Sequence, residues 1–144
     1  MVITMKIKKQ TGFTLIEIMI VVAIIAIISA IAYPSYMESV RKAGRSDAKV
    51  ALQQIAQAQE SYFIRNRSYA TTLAALGYTG ATVSSPEGKY VITLNATATT
   101  FTLKAIPASD DPQAKDTKCA EFTLDHIGRK AAKDNNSQAS SLCW

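Results

Sequence analysis

The feature that most constrains this chain is the run from Phe13 to Met37, in which Glu17 is the only charged side chain. About 25 helical residues at ~1.5 Å each reach ~37 Å, more than the ~30 Å hydrocarbon core of a bilayer, so the run is expected to cross a membrane as one helix. An ionised, unpaired carboxylate inside such a span costs roughly 2.5 to 3.5 kcal/mol on insertion scales. Glu17 therefore needs water or a partner. At the edge of the run it would reach the headgroups. If instead the chain is cut after Gly12, Phe13 carries a free amino group one helical turn away, and an acid and an amine from the same or a neighbouring chain can pair.

The flanks fit an exported protein. Residues 1–12 hold Lys6, Lys8 and Lys9 and no acid, which should keep this leader on the cytoplasmic side while the rest crosses. An ordinary secretory signal is the competing reading, because Ala30-Ile31-Ala32 before Tyr33 fits the A-x-A removal pattern. It leaves Glu17 without a role. Pro34 removes one backbone hydrogen bond and is expected to kink the helix; the other reading is a boundary with a fresh start near Ser35. Tyr33 and Tyr36 lie where interfacial aromatics are favoured.

Past Pro34 the pattern turns amphipathic. Ala48, Ala51, Leu52, Ile55, Ala56, Gln59, Tyr62 and Phe63 recur at spacings of three and four, while Arg45, Asp47, Lys49 and Glu60 fall mostly on other faces. One long helix from about Thr14 to about Arg65 is predicted, membrane-compatible in its first half and packed on a soluble domain in its second. Arg41, Lys42 and Arg45 read as a solvated face just beyond the apolar segment. Ala70 to Gly80 reads as a short helical turn and a Gly-rich loop.

Period-two segments follow. Tyr90, Ile92 and Leu94 and then Phe101, Leu103 and Ala105 predict a hairpin, Phe122 and Leu124 a third strand, and Arg129 to Lys133 a charged fourth strand at an edge, after a turn at Asp125–Gly128. Pro107 to Lys118, with two prolines and three aspartates, reads as a surface loop. The dry face of such a sheet has one partner of suitable length, the apolar stripe of the helix. The expected class is α+β, a long N-terminal helix lying across a small antiparallel sheet. The domains are then 1–12 as leader, 13–37 as membrane helix and 38–144 as head.

Two cysteines occur, Cys119 and Cys143. If the C-terminal part is exported, a disulfide between them is the natural reading, bounding a 119–143 region; two unrelated buried thiols are the alternative. With the lone His126 and no CxxC they make no zinc set, and no metal or cofactor is expected. A turn histidine without a positioned partner is a poor general base, so an enzyme is not expected either. Three of the sixteen cations precede Gly12, which leaves 13 against 11 acids, a mildly basic balance that points only weakly to nucleic acid.

The stretch Lys8-Lys9-Gln10-Thr11-Gly12-Phe13-Thr14-Leu15-Ile16-Glu17, with the apolar helix after it, resembles the class III signal of type IV pilins. The resemblance implies that prepilin peptidase cuts between Gly12 and Phe13 and N-methylates Phe13, that Glu17 sets subunit register in a fibre, and that a disulfide closes a C-terminal region. Ile18 stands where leucine is usual, and Ala26 where a helix glycine is often found. Looser matches, among them Ala32-Tyr33-Pro34-Ser35-Tyr36, Thr123-Leu124-Asp125 with Gly128, and Cys143-Trp144, resemble PilE-type minor pilins. The implied role is a fibre subunit that acts in pilus assembly, twitching motility and adhesion. Its partners would be other major and minor pilins, the prepilin peptidase, the inner-membrane assembly platform and a tip adhesin. It would sit in the inner membrane as a single pass with a cytoplasmic N-terminus, then in the extracellular fibre. Two rivals remain. One is a DNA-uptake pilin of natural transformation using Lys118, Arg129, Lys130 and Lys133 as a phosphate-binding strip; the other is a type II secretion pseudopilin.

Overall fold

The computed structural model describes residues 12–144; the leader lysines lie outside the described residues. One helix, α1 (Leu15–Asn66), runs 52 residues and continues through Pro34. Five strands follow, β1 (Thr82–Ser84), β2 (Tyr90–Ala96), β3 (Phe101–Pro107), β4 (Glu121–Asp125) and β5 (Lys130–Lys133), with short 3-10 turns at Ala74–Leu76 and Pro112–Lys115. The sheet is antiparallel in the order β1-β2-β3-β4-β5. The chain divides into two compact units between Glu38 and Ser39.

In the first unit every residue from 12 to 36 is exposed, with side chains such as Leu15 at 79% and Ile31 at 73%. Among the described residues α1 is the one helix long and apolar enough to cross a membrane.

The second unit holds the core, and the expected stripe builds it. Ala48, Ala51, Leu52 and Ile55 of α1 meet Tyr90, Ile92, Phe101, Leu103, Ala105, Phe122, Leu124 and Ala132 of the sheet. A fully buried Leu or Ile contributes about 1.5 to 3 kcal/mol by removal from water. Gln59, also fully buried, donates to the Ala70 carbonyl at 2.8 Å and accepts from its N–H at 2.9 Å, so one side-chain amide satisfies the peptide that leaves the helix. Tyr69 then packs against Phe63 and, edge-on, against Phe101.

Three expectations are corrected. Arg45 is not solvated: it is 5% exposed and bidentate to Asp116, through Nε at 2.7 Å and Nη2 at 3.0 Å. Residues 107–118 are therefore more than a surface loop. Gln113 and Asp116 are buried against α1, and Gln113 Nε2 donates to the Arg41 carbonyl at 3.0 Å and to Asp116 at 3.2 Å. Gly44 permits this approach, because a Cβ there would run into the Gln113 amide oxygen, which is tethered and cannot swing away cheaply. The third correction is β1, a strand of three residues with a single apolar side chain, too short for a period to register. Asp47 holds its connection to β2, accepting from Ser85 Oγ, from Glu87 N at 3.0 Å and from Lys89 N at 3.3 Å.

The end of the chain is tied down. Cys119 and Cys143 form a disulfide with their Cα atoms 5.7 Å apart. Trp144 lies edge-on to Phe122, its ring centroid 5.9 Å away, and donates from Nε1 to the Ala131 carbonyl at 2.7 Å.

Removing one partner of a buried pair strands the other, so Arg45→Ala or Asp116→Ala should cost about 3 to 5 kcal/mol, and Arg45→Met with Asp116→Leu less than either. Gly44→Ala should cost about 1 to 3 kcal/mol. Thermal unfolding followed by circular dichroism on the full chain in neutral detergent reads all four. Cys143→Ser should cost about 2 to 5 kcal/mol and shift the emission of Trp144 to the red, as the ring loses its anchor.

Candidate functional site

Two regions carry candidate functional residues, the first built by neighbours in sequence and the second by residues far apart along the chain. At the start of α1, Thr14 and Glu17 form a reciprocal cap. Thr14 Oγ1 accepts from the Glu17 N–H at 3.3 Å, while Glu17 Oε2 accepts from Thr14 N at 3.2 Å and from Thr14 Oγ1 at 3.3 Å. This is the arrangement that T-x-x-E favours, since it satisfies donors that have no partner within the helix. It also puts a carboxylate where the helix dipole is positive. Gly12 and Phe13 precede the cap and are exposed, Phe13 at 83%. A backbone open on all sides is accessible to a protease. Thr14 was not singled out from the sequence, although its spacing to Glu17 carries the signal.

In the C-terminal region the four cations expected to form a strip do not share one surface. Lys133 pairs in register with Glu121 and its Nζ lies 3.7 Å from that carboxylate, which also holds Lys104 at 2.6 Å. Arg129 Nε donates to Asp125 at 2.7 Å. Burial raises the Asp125 pKa, but the hydrogen bonds from Arg129 and Ile127 outweigh it and hold the carboxyl below its ordinary range. Lys118 is exposed beside the disulfide, its carbonyl oxygen 3.3 Å from Cys143 Sγ. Lys130 stands opposite Leu124, hence on the face of the sheet that meets α1.

There it meets a residue the sequence reading did not place. Lys130 Nζ lies 5.2 Å, and Lys49 Nζ of α1 5.9 Å, from the centroid of the Trp144 ring. Burial, then Arg45 and then Lys130, lower the pKa of Lys49. His126 sits at the β4–β5 turn with its ring 6.4 Å from those of Tyr69 and Phe101, and lines an open groove of about 770 Å³ with Glu60, Ser61 and Ile64. No group of three or more His, Cys, Asp or Glu side chains placed to hold a metal occurs among the described residues.

Comparison with known proteins places this geometry. Residues 7–33 match a family model described as the prokaryotic N-terminal methylation motif. Residues 34–123 match one described as type IV minor pilin ComP, DNA uptake sequence receptor. Over 70 residues, 49% of this chain, it is 40% identical to the type IV major pilin protein PilA of Myxococcus xanthus, and over 81 residues, 56% of this chain, 38% identical to the type II secretion system core protein G of Pseudomonas aeruginosa. The matches span 32% and 55% of those relatives' own lengths. Among solved structures, the non-core minor pilin PilV of Neisseria meningitidis shares the fold, with a TM-score of 0.51 at 22% identity over 72% of this chain and 96% of that one. With a long helix on an antiparallel sheet, a C-terminal disulfide, a methylation motif and a family model over more than half its length, the chain belongs to the type IV pilins, in the family which that minor-pilin model describes.

Proposed function

We propose that the chain is a minor subunit of a type IV pilus, a structural protein without catalytic activity of its own. Prepilin peptidase cuts it after Gly12 and methylates the new amino group of Phe13. The first half of α1 then holds it in the inner membrane as a single pass, N-terminus cytoplasmic, until the assembly platform moves it into the fibre. There it joins other major and minor pilins, and a tip adhesin, in the assembly that serves twitching and adhesion. The observation that carries this reading is the methylation motif over residues 7–33, set on the start of a helix whose apolar side chains are exposed throughout from Leu15 to Tyr36.

Packing of like helices supplies the driving force, and the Phe13 amine supplies the counter-charge for Glu17. In the uncut chain the Thr14 cap engages the carboxylate without neutralising it. A subunit whose acid finds no amine leaves a charge buried and unpaired, which disfavours wrong register. A DNA-uptake role is the second reading, favoured by the family model over 34–123 and by the two lysines beside Trp144.

Mass spectrometry of the mature chain should give methylated Phe13 as the first residue; Tyr33 in that place overturns the proposal. Glu17→Ala should lower surface fibres and twitching at least tenfold while the peptidase still cuts. In a deletion strain, twitching should fall and type II secretion persist; the reverse pattern selects the pseudopilin role suggested by the core protein G relative.

A further inference from the structure

The open groove beside His126, at about 770 Å³, lies within the range of small-molecule sites, ~300 to 1,000 Å³. One wall is a single face of α1, because Gln53, Gln57, Glu60 and Ile64 recur at spacings of four and three, with Ser61 beside them. The opposite wall is the β4–β5 turn, where Asp125 and His126 face them across the opening. Buried Phe101 and Leu124 and half-buried Ala56 make the floor apolar, and the Phe101 ring meets that of His126 edge-on with centroids 6.4 Å apart.

The polar groups around this floor are not used by the fold. Among the described residues no hydrogen bond engages the side chains of Gln53, Gln57, Ser61 or His126, and Glu60 gives only Oε1 to the Tyr69 hydroxyl, at 3.1 Å. Between them an amide, a hydroxyl, a carboxylate and an imidazole can both donate and accept. Their charge excludes an anion, since Glu60 and Asp125 line the groove and no Lys or Arg among the described residues does. Arg129, the cation nearest in sequence, is held on Asp125 at 2.7 Å.

An extended peptide is also disfavoured, because strand addition needs free main-chain groups. The α1 backbone is spent within the helix, and at the turn Asp125 N donates to the Arg129 carbonyl and His126 N to that of Phe101. A purely apolar ligand would strip water from the amides and return nothing. A neutral sugar fits each condition: hydroxyls that donate and accept, no charge, and a C–H face that packs on an apolar floor.

We infer that this groove is a binding site for a neutral saccharide, with Gln57, Glu60, Ser61 and His126 reading its hydroxyls. The site goes beyond the role of fibre subunit and does not depend on how the start of α1 is processed.

The test uses the full chain in a detergent without sugar headgroups, applied to a printed array of neutral, sialylated and sulfated oligosaccharides. Neutral members should be retained, and the best of them should shift the ring proton resonances of His126, the sole histidine of the chain. Gln57→Ala should weaken that binding about tenfold, as one or two hydrogen bonds are lost. Ser61→Trp, which fills the groove from its exposed rim, should abolish it. Gln54→Ala, exposed on α1 but outside the groove, should change it less than twofold. Unchanged thermal unfolding will show that all three variants are folded. Retention of acidic glycans alone, neutral binding that leaves His126 unmoved, or an array on which nothing is retained each overturns the site, while the fibre role stands or falls on the Phe13 terminus.

Discussion

The head of this pilin depends on one turn of α1, where a buried ion pair and a buried carboxylate sit side by side. Arg45 fixes the segment after β3 through Asp116, and Asp47 fixes the connection between β1 and β2 through Ser85, Glu87 and Lys89. Each charge is affordable in the interior because its hydrogen-bonding capacity is met by a specific partner. Apolar packing from Ala48 onward supplies most of the stabilisation, but it does not choose where the loops lie. The polar pair does, and Gly44 and Gln113 set how closely the second loop approaches.

At the other end of the helix, the proposed function gives a single acid two different duties in sequence. Before processing, Glu17 closes the helix start with Thr14. After processing, on the proposed reading, the same oxygens lie one turn from a charged amine. A carboxylate held by a cap is already oriented for that encounter, so little freedom is lost when the pair forms.

Much of this was legible in the residues. The period-three-and-four stripe from Ala48 to Gln59 and the alternation in β2, β3 and β4 name the core almost residue by residue, because burial on one face leaves a periodic mark. The disulfide followed from the compartment. Arg45, Asp47, Asp116 and Gln113 left no such mark, since a charged residue on a helix reads as solvated until its partner, about 70 positions away in the case of Arg45, is known. Lys49, Lys130 and Trp144 were illegible as a group for the same reason: three elements bring them together. The Thr14 cap is a different kind of miss, a local motif overshadowed by the cost of placing Glu17 in a membrane.

The sheet order β1-β2-β3-β4-β5 means that every strand pairs with its neighbour along the chain. Such pairing closes short loops first, and contacts of small sequence separation form quickly. On the proposed single-pass topology, a head emerging on the far side of the membrane can therefore lay down its strands in order of arrival, without waiting for a distant segment to insert between them. The covalent tie from Cys119, just ahead of β4, to Cys143, beyond β5, then locks the last hairpin after it has found its place.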